Sequence, residues 1–166
     1  MKRLSRAAVL LVAFATGLLP ACGYHLVGHG EGAGAIPADV HAITLIASDA
    51  SRPYLPQLRD RLQRAGYDLD TEKSDATLRV SHQPESFTPS SYDRSGVATQ
   101  YHMAVTGSLT LERDGKAIWQ SGNITVQDDV YVTAGPASIE ASRQRLAEDL
   151  RKEWVRQAWS RLQSGF

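Results

Sequence analysis

The sequence predicts an α+β domain with two helices packed on one face of a four-stranded sheet, in the order β-α-β-β-β-α. Apolar residues recur at helical spacing in two segments, over residues 55–65 and 137–162. Apolar and polar residues alternate over a central stretch, residues 97–112, which is typical of a long strand with one buried face. An Asp-Gly pair at residues 114–115 then predicts a tight hairpin turn.

The first strand and helix are predicted within residues 40–66. Residues 40–47 (VHAITLIA) are β-branched and apolar, which predicts a strand buried on both faces. Ser51 is a candidate N-cap, and Pro53 lies near the first helical position. Gly66 is expected to end this helix in the left-handed conformation. The helix carries a group of arginines that we interpret as a solvent-exposed face: Arg59, Arg61 and Arg64.

Three further strands are predicted after this helix. Residues 76–81 alternate in polarity and form the second strand. Residues 84–96 contain two prolines and five serines or threonines, which predicts a loop of about 12 residues. A fourth strand is expected from 117 to about 132, with Gly122 as a bulge or bend. The third strand has an apolar face made of Val97, Thr99, Tyr101, Met103, Val105, Gly107, Leu109 and Leu111.

The last element is predicted as a long helix from about Ala137 to Leu162. Its apolar residues repeat every four positions, so one face should pack against the sheet. The third and fourth strands are unusually long, against a typical length of about 5–6 residues. We therefore expect a strand ribbon that extends past the helices, with a tip suited to docking or insertion.

The first 21 residues are typical of an export signal. Three basic residues and no acid precede an apolar run over residues 7–19, too short to span a hydrocarbon core of ~30 Å. The segment ends in Leu19-Pro20-Ala21-Cys22-Gly23, which resembles the lipobox of bacterial lipoproteins. That motif needs a cysteine because its thiol accepts diacylglycerol before cleavage, after which the freed amine is acylated. Cys22 is therefore the predicted lipid attachment site.

The cysteine content agrees with this prediction. Cys22 is the only cysteine in the 166 residues, so no internal disulfide can form and the thiol needs another role. One acyl chain binds a membrane only reversibly, whereas several chains hold a protein firmly. Gly23 follows the cysteine where an aspartate would favour the inner membrane. We therefore expect the chain on the outer membrane, facing the periplasm.

Composition bounds the rest of the chain. Residues 22–36 are rich in glycine and predict a flexible lipidated tether, and residues 37–166 predict a single domain. Without the signal, the chain has 15 basic and 18 acidic residues, a formal charge of −3. Nucleic acid is therefore an unfavourable partner.

Motifs for catalysis or metal binding are weak. The five histidines are scattered, and Asp128 and Asp129 should point to opposite faces of a strand. We therefore predict no enzyme activity, no metal site and no cofactor. The most informative exposed candidate is Arg94, because a guanidinium can bind phosphate with two hydrogen bonds. On composition alone, a solvated arginine paired with Asp93 is the simpler interpretation.

Three features resemble the LptE family of lipopolysaccharide-assembly lipoproteins. They are residues 22–26 (CGYHL) after the signal, the strand and Leu-spaced helix that end at residues 65–67 (AGY), and residues 94–96 (RSG) leading into 100–103 (QYHM). Their order and spacing follow that family over nearly the whole mature chain. The resemblance implies a non-enzymatic plug inside the outer-membrane barrel LptD, where it stabilises the barrel, helps it assemble and binds lipopolysaccharide.

The resemblance also implies a role for Arg94, which falls where the family pattern has a lipopolysaccharide-binding arginine. The pattern has a second basic residue after the fourth strand, but no Lys or Arg occurs here between Lys116 and Arg143. Two other hypotheses remain open. One is a lipid-anchored module that activates an envelope enzyme or contacts peptidoglycan, and the other is a lipid-anchored hydrolase.

Overall fold

The computed structural model describes residues 34–132 and 135–166, so the predicted signal, Cys22 and the tether up to residue 33 lie outside the described residues. The described part is an α+β fold, as predicted. Its elements are β1 (Ala42–Ala47), α1 (Leu55–Arg64), β2 (Asp68–Leu69), β3 (Ala76–His82), β4 (Ser86–Tyr92), β5 (Ala98–Arg113), β6 (Lys116–Gln120), β7 (Ile124–Tyr131) and α2 (Pro136–Ser164).

The sheet is built around β5, a strand of 16 residues. Strands β3 and β4 follow one another along one edge of β5, and β6 and β7 follow one another along the other edge, all antiparallel to it. Strand β1 pairs in parallel with β3, and the two-residue β2 pairs in parallel with β1. The mixed sheet therefore has seven strands arranged in five rows, the fifth being the short β2.

The prediction of four strands is wrong in number, because a strand replaces the expected loop before β5, the expected fourth strand is split in two, and β2 adds a short strand. Residues 84–96 were expected to be a loop, but β4 occupies Ser86–Tyr92. Pro89 lacks an amide hydrogen, yet it is compatible with this strand because β4 pairs only with β5 and has an open outer edge. The expected fourth strand is interrupted after Gln120, where Gly122 adopts a positive φ of 64°.

Both helices pack on the same face of the sheet, as predicted, and enclose one core. Leu58 and Leu62 of α1 are fully buried there together with Trp154 of α2. No helix among the described residues covers the opposite face, so β1 is not buried on both faces. Ile46 is 40% exposed, which corrects the prediction from its apolar sequence. The open sheet face carries neutral polar residues, among them Thr77, Ser81, His102, Thr106, Ser108, Thr110, Thr125 and Gln127.

The beginning of α1 also differs from the prediction. Ser51 does not cap an α-helix, because a 3-10 helix spans Asp49–Tyr54 and α1 starts at Leu55. The end of α1 is confirmed. Gly66 has φ 93°, and its amide donates to the carbonyl of Gln63 at 3.0 Å. The Asp-Gly turn is confirmed by positive φ values of 51° at Asp114 and 72° at Gly115.

The packed domain reaches into the segment predicted as tether. Ala35 and Ile36 are buried in the core, and the Ala35 amide donates to the carbonyl of Leu162 at 2.8 Å. Gly34 lies so close to the end of α2 that an added Cβ would be 3.1 Å from the Leu162 carbonyl. The chain therefore enters the domain beside the last turns of α2.

The centre of the core is an aromatic stack around His82. Its ring stacks on Tyr54 with 3.7 Å between centroids, and the Trp154 ring lies at 4.1 Å on a tilted plane. The His82 Nδ1 lies 3.0 Å from the Ser51 hydroxyl. The Trp154 indole donates to the Ile124 carbonyl at 3.1 Å. The stack therefore joins β3 to the 3-10 helix and to α2.

This environment keeps the His82 ring neutral. Desolvation by burial lowers its pKa from 6.5 to about 4, although the nearby Glu85 carboxylate acts in the opposite direction. Glu85 itself accepts from the Tyr54 hydroxyl at 3.0 Å and pairs with Arg151 at 3.2 Å. Within the described residues, the His82 Nε2 is a buried atom with no hydrogen-bond partner. Protonation would place a charge in an apolar stack.

We predict that Gly107→Ala destabilises the domain. An added Cβ would lie 2.6 Å from the His82 ring and 2.8 Å from the Ser81 carbonyl, and neither can move without disturbing the stack or β3. Overpacking of this kind costs about 1–3 kcal/mol, so the free energy of unfolding in urea should fall by about 2 kcal/mol. Ser108→Ala, on the open sheet face next to it, is the control and should change stability little. Equal stability of the two variants would contradict the close approach.

We further predict a stability loss in acid that depends on His82. The unfolded chain binds this proton with a pKa near 6.5 and the folded chain with a pKa of about 4, so protonation favours unfolding. Between those pH values, stability should fall by up to about 1.4 kcal/mol per pH unit. His82→Phe keeps a ring in the stack and should remove this component, as measured by urea unfolding from pH 7 to 4. His41→Phe, at an exposed histidine, is the control, and an unchanged slope in His82→Phe would refute the assignment.

Candidate functional site

The candidate site is the tip of the strand ribbon, formed by the loop at residues 93–97 and the adjoining ends of β4, β5 and β7. Six large hydrophobic residues are strongly exposed in the described part of the chain, and three of them lie at this tip. They are Tyr92, Val97 and Tyr131, which are 62%, 52% and 78% exposed. Such clustering of exposed apolar groups is typical of a contact surface.

Asp93 determines the shape of the loop. Its Oδ1 accepts hydrogen bonds from the Ser95 hydroxyl at 2.7 Å, the Ser95 amide at 2.8 Å and the Val97 amide at 2.9 Å. These hydrogen bonds lower the pKa of the Asp93 carboxyl. The bond from the Ser95 hydroxyl has the largest effect, and the bond from the Val97 amide follows. Gly96 completes the turn with φ 83°, a conformation that a residue with a Cβ adopts only with strain. The loop is therefore held by short-range polar contacts.

Arg94 lies at the outermost part of this loop. Its side chain is exposed, and no hydrogen bond or ion pair within the described residues engages its guanidinium. The simpler interpretation paired Arg94 with Asp93, but the Asp93 carboxylate is turned inward onto the loop amides. The arrangement leaves a guanidinium available to an anion from outside, with Tyr92 and Val97 nearby in the chain.

The strands below the loop support it from both faces. On the core face, the rings of Phe87 and Tyr101 stack with 4.6 Å between centroids and 9° between planes. On the open sheet face, His102 Nδ1 lies 3.1 Å from the Asp129 carboxylate. These contacts connect β5 to β4 on one side and to β7 on the other. The tip is therefore carried on a paired three-strand ribbon.

Between β7 and Arg143, the described residues include no Lys or Arg where the resemblance implies a second basic residue. Arg143 itself pairs with Glu140 at 2.8 Å near the start of α2. This pairing, aided by Gln144, lowers the pKa of Glu140 to about 2. Arg143 is therefore less available to an outside anion than Arg94. Tyr131 was not singled out from the sequence, because a tyrosine ending an alternating strand carries no signal that it will be exposed.

Other kinds of site find no support in the described residues. No group of three or more His, Cys, Asp or Glu side chains within 34–132 and 135–166 is arranged to hold a metal ion. Asp129 interacts with His102. Asp128 lies on the other face of β7 and is in register with Met103 of β5. In the same ranges, no helix combines the length and the apolarity that a membrane span requires.

Comparison with known proteins gives one family match. A family model named LptE, described as lipopolysaccharide-assembly, matches residues 42–162. That match runs from the start of β1 to the last turn of α2 and includes the tip. No curated protein sequence matches the chain significantly.

Three solved structures with a similar fold are distant in sequence. Rare lipoprotein B from Shewanella oneidensis is 17% identical, with a TM-score of 0.56 over 75% of this chain and 92% of that one. Lipoprotein B from Nitrosomonas europaea is 18% identical, with a TM-score of 0.58 over 76% and 84%. A minor lipoprotein from Acinetobacter baumannii is 13% identical, with a TM-score of 0.55 over 75% and 91%. At these identities, the likeness establishes the fold alone.

Proposed function

This chain belongs to the LptE lipopolysaccharide-assembly family, and we propose that it is an outer-membrane lipoprotein that helps to transport lipopolysaccharide and insert it at the cell surface. The observation that carries the proposal is the family match over residues 42–162, which takes in every strand and both helices. The role is one of binding and assembly, without covalent chemistry.

The proposed membrane attachment is through Cys22. After removal of residues 1–21, diacylglycerol on the thiol and an acyl chain such as palmitate on the amine would anchor the chain. The site fits its role because Cys22 is the only cysteine and directly follows a short export signal. With Gly23 next to it, we place the anchor in the periplasmic leaflet of the outer membrane.

The proposed partner is an LptD-like outer-membrane barrel, which the domain would plug and help to assemble. The interior of a large membrane barrel is polar, so a plug needs a polar surface rather than an apolar one. The open sheet face meets this need with half-exposed threonine, serine and glutamine side chains. Charged pairs are sparse there, Arg79 with Glu112 at 3.1 Å being one. Such a face can hydrogen-bond to a barrel wall with little desolvation of charge.

The proposed ligand at the tip is lipopolysaccharide, with Arg94 binding one of its phosphates. A guanidinium binds phosphate through two parallel hydrogen bonds, and Arg94 has no internal partner in the described structure that would compete. The exposed Tyr92 and Val97 can contact apolar parts of the same amphiphile. One basic residue in place of two predicts a weaker phosphate contact than the family pattern implies.

We predict that an affinity-tagged copy purified from outer membranes recovers a β-barrel protein at equal stoichiometry. The barrel is identified by mass spectrometry and by its heat-dependent mobility in gel electrophoresis. A version carrying Cys22→Ala behind a cleavable signal lacks the acyl anchor. Recovery of the barrel with this version cannot therefore be due to shared attachment to the membrane. Recovery of no barrel would contradict the plug role. It would favour the alternative of a module that contacts peptidoglycan or activates an envelope enzyme.

We predict that Arg94→Glu weakens lipopolysaccharide binding by about tenfold or more, since a charge-assisted pair is lost and a repulsion replaces it. Thermal stability and barrel recovery should not change, because Arg94 makes no contact that holds the fold. The matched control is Arg145→Glu, an equally exposed arginine on α2. Binding is measured by surface plasmon resonance on captured lipopolysaccharide. Equal binding by both variants would mean that Arg94 is only a solvated loop residue.

A further inference from the structure

A groove of about 340 Å³ lies between the end of α1 and the last turns of α2. This basic groove is far from the tip, and the proposed function does not use it. Its walls are formed by residues from the two helices: Arg61, Arg64, Ala65, Trp159 and Gln163. Two of the five lining residues are arginines, and none is acidic.

Arg61 is the unusual member of the groove. Its side chain is half-buried, yet within the described residues it makes no ion pair and no side-chain hydrogen bond. Arg64 is more exposed and is matched by Asp60 one turn earlier on the same helix. A half-buried guanidinium without an internal anion has lost part of its hydration and gains from an external one.

The ends of the two helices reduce this positive charge but do not cancel it. The end of α1 carries about half a negative charge, which is less than the full charge of Arg61 that remains after Arg64 is matched. The end of α2 is already engaged, because Ala35 donates to the Leu162 carbonyl and Trp119 donates to the Gly165 carbonyl at 3.0 Å. The groove therefore favours an anion.

The same end of the domain carries aromatic and apolar groups. Trp159 is half-buried and packs against the core while lining the groove. Phe166 is 88% exposed just past the end of α2, and Ile118 is 45% exposed on neighbouring β6. Indole rings beside cations are enriched where proteins meet the headgroup layer of a membrane. The groove thus combines an anion site with surroundings that suit a lipid.

With Cys22 lipidated as proposed, the length of the chain keeps this groove within reach of the membrane. Gly34 lies against the carbonyls of Leu162 and Gln163, and Gln163 also lines the groove. Only 12 residue steps separate Gly34 from Cys22. A fully extended chain spans at most about 3.5 Å per residue, so the lipid-bearing residue can be no farther than roughly 40 Å from the groove.

We propose that the basic groove binds the phosphate-bearing headgroup of a membrane lipid and thereby docks the tethered end of the domain onto the bilayer that holds its own acyl chains. The inference rests on lipid attachment at Cys22, as in the proposed function, but not on the barrel or on lipopolysaccharide at the tip. Arg61 binds the phosphate, Arg64 lines the groove beside it, and Trp159 packs beside the glycerol region.

The test is native mass spectrometry of the lipidated mature protein in a non-ionic detergent. The probes are phosphatidylglycerol, diacylglycerol with the same acyl chains, and inorganic phosphate. We expect one phosphatidylglycerol to be retained and little diacylglycerol. Arg61→Gln/Arg64→Gln should weaken retention by about tenfold, the loss of one charge-assisted pair or more. Arg52→Gln/Arg145→Gln removes the same charge from exposed sites elsewhere and should leave retention unchanged.

Three results would overturn the proposal. Equal losses in the two double variants would mean that general charge attracts the lipid. Equal retention of diacylglycerol would mean that only the acyl chains bind. Binding of inorganic phosphate as strong as that of the lipid would make the groove a site for a free anion.

A second measurement does not depend on how the arginine variants fold. In vesicles of brominated phosphatidylglycerol, the fluorescence of the lipidated wild type should be quenched more than that of Trp159→Phe. Equal quenching would place Trp159 away from the lipid and would refute docking at the groove.

Failure of the proposed function can be told apart from failure of this inference. Barrel recovery should be the same for Arg61→Gln/Arg64→Gln and the wild type, so its absence in both contradicts the plug role and not the groove. A mature protein whose mass lacks acyl chains contradicts attachment at Cys22. The headgroup titration can still be made with that protein, and it then tests the groove alone.

Discussion

The aromatic cluster of His82, Tyr54 and Trp154 is the interaction on which the arrangement of the domain depends. One ring comes from β3, one from the 3-10 helix that leads into α1, and one from α2. Gly107 of β5 leaves the space that the His82 ring occupies, so the central strand also packs against this aromatic cluster. Because these contacts fix both helices to one face, the other face remains open. The polar surface proposed to meet a barrel wall is thus a consequence of the packing on its reverse side.

Local sequence signals were sufficient for about half of the architecture. The four-residue repeat in α2, the alternation in β5, Gly66 and the Asp-Gly turn each depend on neighbours in the chain, and each was confirmed. Strand β4 could not be predicted in this way. Its proline and serines are typical of a loop, and its extended form depends on pairing with β5. The exposed Ile46 has the same origin, since an apolar strand does not reveal that one side of its sheet lacks a helix.

The candidate sites, like the fold, could be predicted only in part from local sequence. Arg94 could be singled out from its residue type and from the family pattern, but whether Asp93 would neutralise it depended on the geometry of the loop. The basic groove was invisible in the sequence. Arg61 and Arg64 have the spacing of an ordinary solvated helix face, and only the packing of α1 beside Trp159 brings them to a common cavity. The proposed function at both places therefore depends on arginines whose availability to an outside anion is set by tertiary structure.

The length of β5 has a consequence for how far the domain can reach. Its 16 residues extend over about 50 Å at the usual rise of a strand, from the loop that carries Arg94 to the turn near the end of α2. A bilayer with its headgroups is about 40–45 Å thick. A domain held upright with its tethered end among the headgroups of one leaflet is therefore long enough to present Arg94 at the depth of the opposite leaflet. A single unbroken strand would then set the distance between the proposed anchoring surface and the proposed point of contact with lipopolysaccharide.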